Sequence, residues 1–140
     1  MSSAGYSGTP LPRKLGIGEG SRLLLVDAPA DFAATLGDLP PGVELVEAGA
    51  GAVDVAILFA VGAATVRARF ADLAASLEPA GGLWIAWPKR SSGVPTELDE
   101  NVVREIGLAD GLVDNKVCAI DATWSGLRFV WRLRDRPPRS

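Results

Sequence analysis

The chain has 140 residues, 48% of them apolar and 22% charged, with a formal net charge of −3. That is the length of one ordinary domain and the balance of a soluble globular protein, able to bury a core without a disulfide or metal staple. The absence of histidine removes the commonest general base, the Ser-His-Asp and Cys-His nucleophile systems and nearly every catalytic zinc arrangement. The acid excess argues against broad binding to nucleic acid, which relies on many lysine and arginine contacts.

Residues 1–20 are rich in Gly, Ser and Pro, and Arg13 and Lys14 stand near their end. They predict an extended arm with a short helical turn near Pro12 to Leu15. No apolar stretch of a signal peptide is present in "MSSAGYSGTPLPRK", and the longest apolar run, Val55 to Thr65, is too short to span a bilayer. The expected location is the cytoplasm.

From residue 22 the signals alternate. "RLLLVD" (22–27) reads as a short strand covered on both faces. Asp31 is placed to cap a helix reaching Leu36, stopped by Gly37 and Pro40-Pro41. "VELVE" (43–47) carries acids between its apolar residues and belongs near a sheet edge, whereas "VDVAILFAV" (53–61) is the strongest buried strand. Val66, Phe70, Leu73 and Leu77 then form one helical stripe. Pro79 and Gly81-Gly82 end that stripe and launch "LWIAW" (83–87). Thr96 is placed to cap a second helix by accepting from the Asp99 N–H, with Leu98, Val102 and Ile106 as its apolar stripe.

The last two strands, "KVCAID" (116–121) and "LRFVWRL" (127–133), flank a five-residue loop, "ATWSG", short enough to force an antiparallel pair. Leu127, Phe129, Trp131 and Leu133 share one face, opposite Arg128 and Arg132. Asp114, Asn115 and Lys116 read as a turn before this hairpin. The chain closes on "RDRPPRS", where Pro137 and Pro138 cannot continue a strand. The whole predicts an α/β sandwich with three layers and a mixed sheet, mostly parallel with a C-terminal antiparallel hairpin and helices on both faces. The expected organisation is an arm (1–20), one α/β domain (21–134) and a basic tail (135–140).

"RLLLVD", "VDVAILF" and "GGLWIAWP", followed by a helix and a closing hairpin, resemble the Rossmann-like fold of class I methyltransferases, most closely at "LEPAGGLWIAW". The chain as a whole is also similar to a family of short bacterial proteins catalogued as a domain of unknown function, through "GYSGTPLPRKLGI", "LWIAWPKRSSG", "ENVVREIGL", "GLVDNKVCAID" and "TWSGLRFV". That second likeness implies no activity. The first implies an S-adenosylmethionine site built on a Gly-rich turn directly after the first strand. Here that strand is followed by "DAPADFAATL", with Pro29 where glycine is wanted, and the cluster "GIGEG" (16–20) precedes the strand, where it cannot supply a βα turn. Glu47 is an acid at the end of the second strand. The resemblance therefore implies a degenerate relative with the fold kept, the cofactor loop lost and no cofactor.

In open α/β sheets, ligands lie beyond the carboxyl ends of the strands. The segments reaching that edge are 27–31, 61–64 and 88–93. Asp27 and the loop Pro88, Lys89, Arg90, Ser91 and Ser92 are the candidate ligand-binding residues, since two cations and two hydroxyls can hold a phosphate or carboxylate. The competing reading is a solvated strand end. Trp84 and Trp87 are expected in the core on opposite faces, while Trp124, in the hairpin loop, either folds back onto the sheet or stands exposed. Cys118 lies mid-strand without a histidine to activate it and is expected as a small buried hydrophobe. Asp99, Glu100 and Glu105 lack the spacing of a metal site.

No residue is assigned a catalytic or metal-binding role. The leading expectation is a non-catalytic binding or regulatory module with a protein partner or an anionic small molecule. The alternative is a small-molecule enzyme that holds an anion on the basic loop and uses Asp27 as acid or base. A third reading has the basic termini, Arg13, Lys14 and Arg132 to Arg139, touch nucleic acid or an acidic protein.

Overall fold

In the computed structural model, which describes residues 9–136, the apolar runs form one six-stranded sheet in the order β2-β1-β3-β4-β6-β5. Residues 1–8 of the expected arm and 137–140 of the tail lie outside the described residues. The strands are β1 (Arg22–Val26), β2 (Glu44–Val46), β3 (Val53–Phe59), β4 (Leu77–Pro88), β5 (Leu112–Ala119) and β6 (Trp124–Trp131), and the helices are α1 (Leu11–Lys14), α2 (Phe32–Leu36), α3 (Ala63–Ala75) and α4 (Glu100–Ala109). β1 to β4 run parallel, and β6 pairs antiparallel with both β4 and β5. This is the expected mixed, mostly parallel sheet.

Two apolar layers sandwich the sheet. On one side α3 and α4 bury Val66, Phe70, Leu73, Val103 and Ile106 against Leu58, Ile85, Leu127 and Phe129. On the other, Leu15 and Ile17 from the amino-terminal segment join Phe32 and Leu36 of α2 over Ile57, Phe59 and Trp84. Trp84 and Trp87, three residues apart in β4, fall in opposite layers, as strand alternation requires. The indole N–H of Trp84 donates to the Leu15 carbonyl at 2.9 Å, so residues placed in the arm are stitched to the central strand.

Several local expectations are corrected. The cap of α4 is Asp99, whose carboxylate accepts from the Val102 N–H at 2.8 Å; the Thr96 hydroxyl accepts from the Leu98 N–H at 3.0 Å, not from Asp99, and donates to the Val61 carbonyl. Val103, not Val102, is the fully buried member of the α4 stripe. Asp31 does stand at the N-cap of α2, but its side chain makes no capping bond.

Helix α3 stops at Ala75, so Leu77 opens β4 opposite Val53 rather than closing the helical stripe. The pairing then jumps from Val53↔Leu77 to Val55↔Gly82, which accommodates Pro79. Gly81 is needed in that irregularity, because a Cβ there would lie 2.9 Å from the Asp54 carbonyl oxygen.

Asp114, Asn115 and Lys116 form no turn; they are a bulge within β5, with pairing moving from Asp114↔Phe129 to Lys116↔Arg128 and Asn115 left over. The hairpin turn is also earlier than expected. Trp124, Ser125 and Gly126 belong to β6, and the Asp121 carboxylate closes the turn by accepting from the Thr123 and Trp124 N–H groups. Leu133 lies beyond the end of β6 and is 77% exposed, not on the inward face.

Candidate functional site

The chain steps from β1 to β2 on one side, then crosses to β3 and β4 on the other. The strand order therefore reverses between β1 and β3, and the crevice outside their carboxyl ends is where this architecture holds ligands. Three segments meet that edge: Asp27–Asp31 after β1, Ala60–Gly62 after β3, and Lys89–Asp99 after β4.

Asp27 has φ 59° and is the one described non-glycine residue in the left-handed region. Its side chain is exposed, and the conformation costs roughly 1 kcal/mol for a residue of this kind. The turn continues through Pro29, which has no N–H to offer, and the Pro29 carbonyl accepts from the Phe32 N–H at 3.0 Å. Phe32 then starts α2 facing inward. Its ring meets Phe59, the last residue of β3, edge-on at 4.8 Å, and Phe59 meets Trp124 in the same manner at 5.2 Å. Trp124 thus folds back onto the sheet. Phe32 and Phe59 are 1% and 3% exposed, so this end of the α2 layer is filled by aromatic rings.

Beyond β3, the amino terminus of α3 is closed from within the chain. The Glu97 carboxylate accepts from the Ala63 N–H at 2.7 Å, and the Thr96 hydroxyl donates to the Val61 carbonyl at 2.6 Å. A carboxylate is the natural partner of a helix amino terminus, which carries partial positive charge and unbonded N–H groups. Residues 96–97 therefore latch the loop after β4 onto the carboxyl end of β3.

The basic loop itself is well held. Pro88 pairs with Trp124 on β6, past the last β3 partner of β4, where the missing N–H leaves nothing unsatisfied on that side. The Lys89 N–H donates to the Thr123 carbonyl at 2.7 Å, and Arg90–Ser92 form a 3-10 turn. The Ser92 hydroxyl donates to the Lys89 carbonyl and accepts from the Val94 N–H, so it serves the loop. Ser91 is exposed. The Lys89 and Arg90 side chains have no hydrogen-bond or ion-pair partner among the described residues. Arg90 stands at the rim of a cleft of about 300 Å³ whose apolar wall is Trp87, Val94 and Leu98 and whose acids, Glu97 and Asp99, are both engaged as helix caps.

The structure thus gathers Pro88 to Ser92 into one loop, with Asp27 standing apart from it. β3 lies between β1 and β4, a separation of about 10 Å at ordinary strand spacing. The latch through Thr96 and Glu97 and the wall formed by Val94 and Leu98 were not singled out as site residues. No local signal marks them, because their partners, Val61, Ala63 and Trp87, come from other elements. A second cleft, of about 630 Å³, lies at the opposite edge of the sheet between Pro10, Pro12, Arg13, Glu19, Pro40 and Pro41. Among the described residues no cluster of His, Cys, Asp and Glu is placed to hold a metal ion, and no helix is long and apolar enough to cross a membrane.

No family model matches the chain, and no curated protein matches it in sequence. Solved structures do. A precorrin-6y C5,15-methyltransferase from Geobacter metallireducens GS-15 superposes with a TM-score of 0.61 at 11% identity, covering 87% of this chain and 86% of its own. A SAM-dependent methyltransferase from Aquifex aeolicus gives 0.57 at 16% identity, covering 84% and 85%. Magnesium protoporphyrin IX methyltransferase from Synechocystis PCC 6803, solved with bound SAM (S-adenosylmethionine), gives 0.54 at 12% identity, covering 87% and 74%. The residues present after β1 do not fit that cofactor: Pro29 withholds an N–H, no glycine allows close approach of the main chain, and Phe32 packs into the layer beside it. The chain has the α/β fold of the class I methyltransferases.

Proposed function

We propose that this chain is a non-catalytic binding module on a methyltransferase-like fold, which recognises its ligand through the loop after β4. The observation that carries this reading is the aromatic row Phe32–Phe59–Trp124, which takes up the end of the sheet where strand order reverses. With that end packed, the open chemistry of the carboxyl edge is Arg90 above the Trp87, Val94 and Leu98 wall. A cation at the rim of an apolar cleft suits a small molecule or peptide segment with an apolar body and an anionic group. The rival reading, an enzyme working on the same anion with Asp27 as acid or base, is disfavoured by the intervening β3.

A thermal-shift screen of acidic peptides and of carboxylates with an apolar body tests this. A stabilising ligand is expected to lose its effect in Lys89→Ala/Arg90→Ala and to be recovered unchanged after incubation with the protein. Turnover of the bound molecule would overturn the non-catalytic reading; stabilisation unaffected by the double substitution would overturn the placement of the site.

A further inference from the structure

Two cations of the hairpin, Arg128 and Lys116, leave the sheet on the side away from α3 and α4, beside the carboxyl end of α1, whose last residue is Lys14. Arg128 of β6 lies in register with Trp84 of β4 and with Lys116 of β5, so all three side chains leave the same face. The Lys116 ammonium reaches over α1 and donates to the Lys14 carbonyl at 2.7 Å. Two glycines make room for the arginine. A Cβ on Gly82 would collide with the guanidinium, and one on Gly16, whose φ is +83°, would sit 3.9 Å from its Nε. The guanidinium is therefore laid flat on the β4 backbone between two positions without side chains.

What that group lacks is an acid. Arg128 has no hydrogen-bond or ion-pair partner among the described residues, although it is half-buried and offers five donors. Burial lowers its pKa, and no carboxylate opposes the effect. Charges taken even partly out of water are ordinarily paired, because desolvation penalises the lone ion. The neighbouring Cys118 reports the same field: burial pushes its thiol up, while Lys116 and then Lys14 pull it down. Lys14, Lys116 and Arg128 form no ion pair among the described residues, so in a chain of net charge −3 this shelf is a local excess of positive charge. A dianion fits such a group better than a single carboxylate does.

We infer that Arg128, Lys116 and Lys14 form an oxyanion site, floored by Gly82 and Gly16, which takes the phosphate group of a small molecule. The site is separate from the loop after β4, since Gly82 and Pro88 are about 20 Å apart along an extended strand. It stands or falls independently of the cleft at Arg90.

The test is a titration of the full chain with inorganic phosphate, followed by NMR at the Arg128 Nε–H and the Gly16 and Gly82 amides. Sodium chloride at matched ionic strength and sodium acetate serve as the comparison arms. Saturable shifts at those groups are expected with phosphate. Arg128→Gln is expected to weaken the apparent affinity by about tenfold or more, and Lys116→Gln by less, while Lys89→Ala/Arg90→Ala leaves it unchanged. Should Arg128→Gln fail to fold, Lys14→Gln/Lys116→Gln carries the test. Shifts that do not saturate, that chloride reproduces, or that survive these substitutions would overturn the site; acetate binding as tightly as phosphate would overturn the ligand class.

Discussion

The ring of Phe32, on the first residue of α2, stands edge-on to the ring of Phe59, on the last residue of β3, with centroids 4.8 Å apart and planes inclined at 69°. This contact joins the turn after β1 to the adjacent strand at the point where strand order reverses. Removing either ring leaves a void in a close-packed layer. Phe32→Ala is expected to lower the unfolding free energy by about 3–5 kcal/mol, measured by urea denaturation. A double-mutant cycle with Phe59→Leu is expected to give a coupling of about 1 kcal/mol, the excess of an edge-to-face pair over its area.

The latch of residue 97 onto α3 makes a smaller, cleaner prediction. Glu97→Ala leaves the Ala63 N–H without its acceptor and is expected to cost about 1 kcal/mol, the usual loss for a helix cap. Glu97→Gln keeps a carbonyl oxygen in place and is expected to lose less. Equal losses in the two variants would show that charge, not the hydrogen bond, holds the latch.

Gly107 lies inside α4, where alanine would ordinarily stabilise a helix by about 1 kcal/mol. Here a Cβ would run into the Phe129 ring, which is fully buried and packed edge-on against Phe70 at 5.1 Å. Overpacking costs about 1–3 kcal/mol, so Gly107→Ala is expected to destabilise in net terms. A rise in the denaturation midpoint would contradict the close approach of α4 to β6.

Burial raises the Cys118 pKa more than Lys116 and Lys14 lower it. A thiol whose folded pKa exceeds its unfolded value contributes stability that is present below the unfolded pKa. That contribution is lost as pH rises through the folded one. Stability is therefore expected to decline on the alkaline side of the thiol's ordinary range, and Cys118→Ala is expected to remove that part of the decline. In the folded protein, alkylation by iodoacetamide near neutral pH is expected to be slower than for a free cysteine.

Much of this molecule was legible in its residues. The runs Leu23–Val26, Val55–Phe59 and Leu83–Trp87, apolar throughout and buried except for a half-buried Leu25, name their own strands, because a strand covered on both faces is nearly continuously apolar. Pro88 to Ser92 could be placed at the carboxyl edge for the same reason: the run they follow is unmistakable. The errors came where a partner distant in sequence decided the outcome. The Thr96 hydroxyl does accept a backbone N–H, but Leu98's rather than Asp99's, while it donates to the distant Val61 carbonyl; the cap falls to Asp99. Asp114 to Lys116 have turn-like composition, yet pairing with Phe129 and Arg128 holds them in a strand as a bulge. Asp114 also accepts from the Arg104 guanidinium at 3.0 Å. The approach of Lys116 to Arg128 and to the Lys14 carbonyl has no trace in local sequence at all, since it depends on the register of β5 against β6 and on where α1 lands.

The misfit of the turn after β1 to S-adenosylmethionine rests on Asp27 in the left-handed region, Pro29 without an N–H and the inward Phe32. Titrating S-adenosylmethionine into the full chain by calorimetry, with NMR following the amides from Asp27 to Phe32, addresses it directly. The expected result is no saturable heat and no saturable shift in that turn. Saturable binding accompanied by shifts at Ala28 and Ala30 would contradict the account.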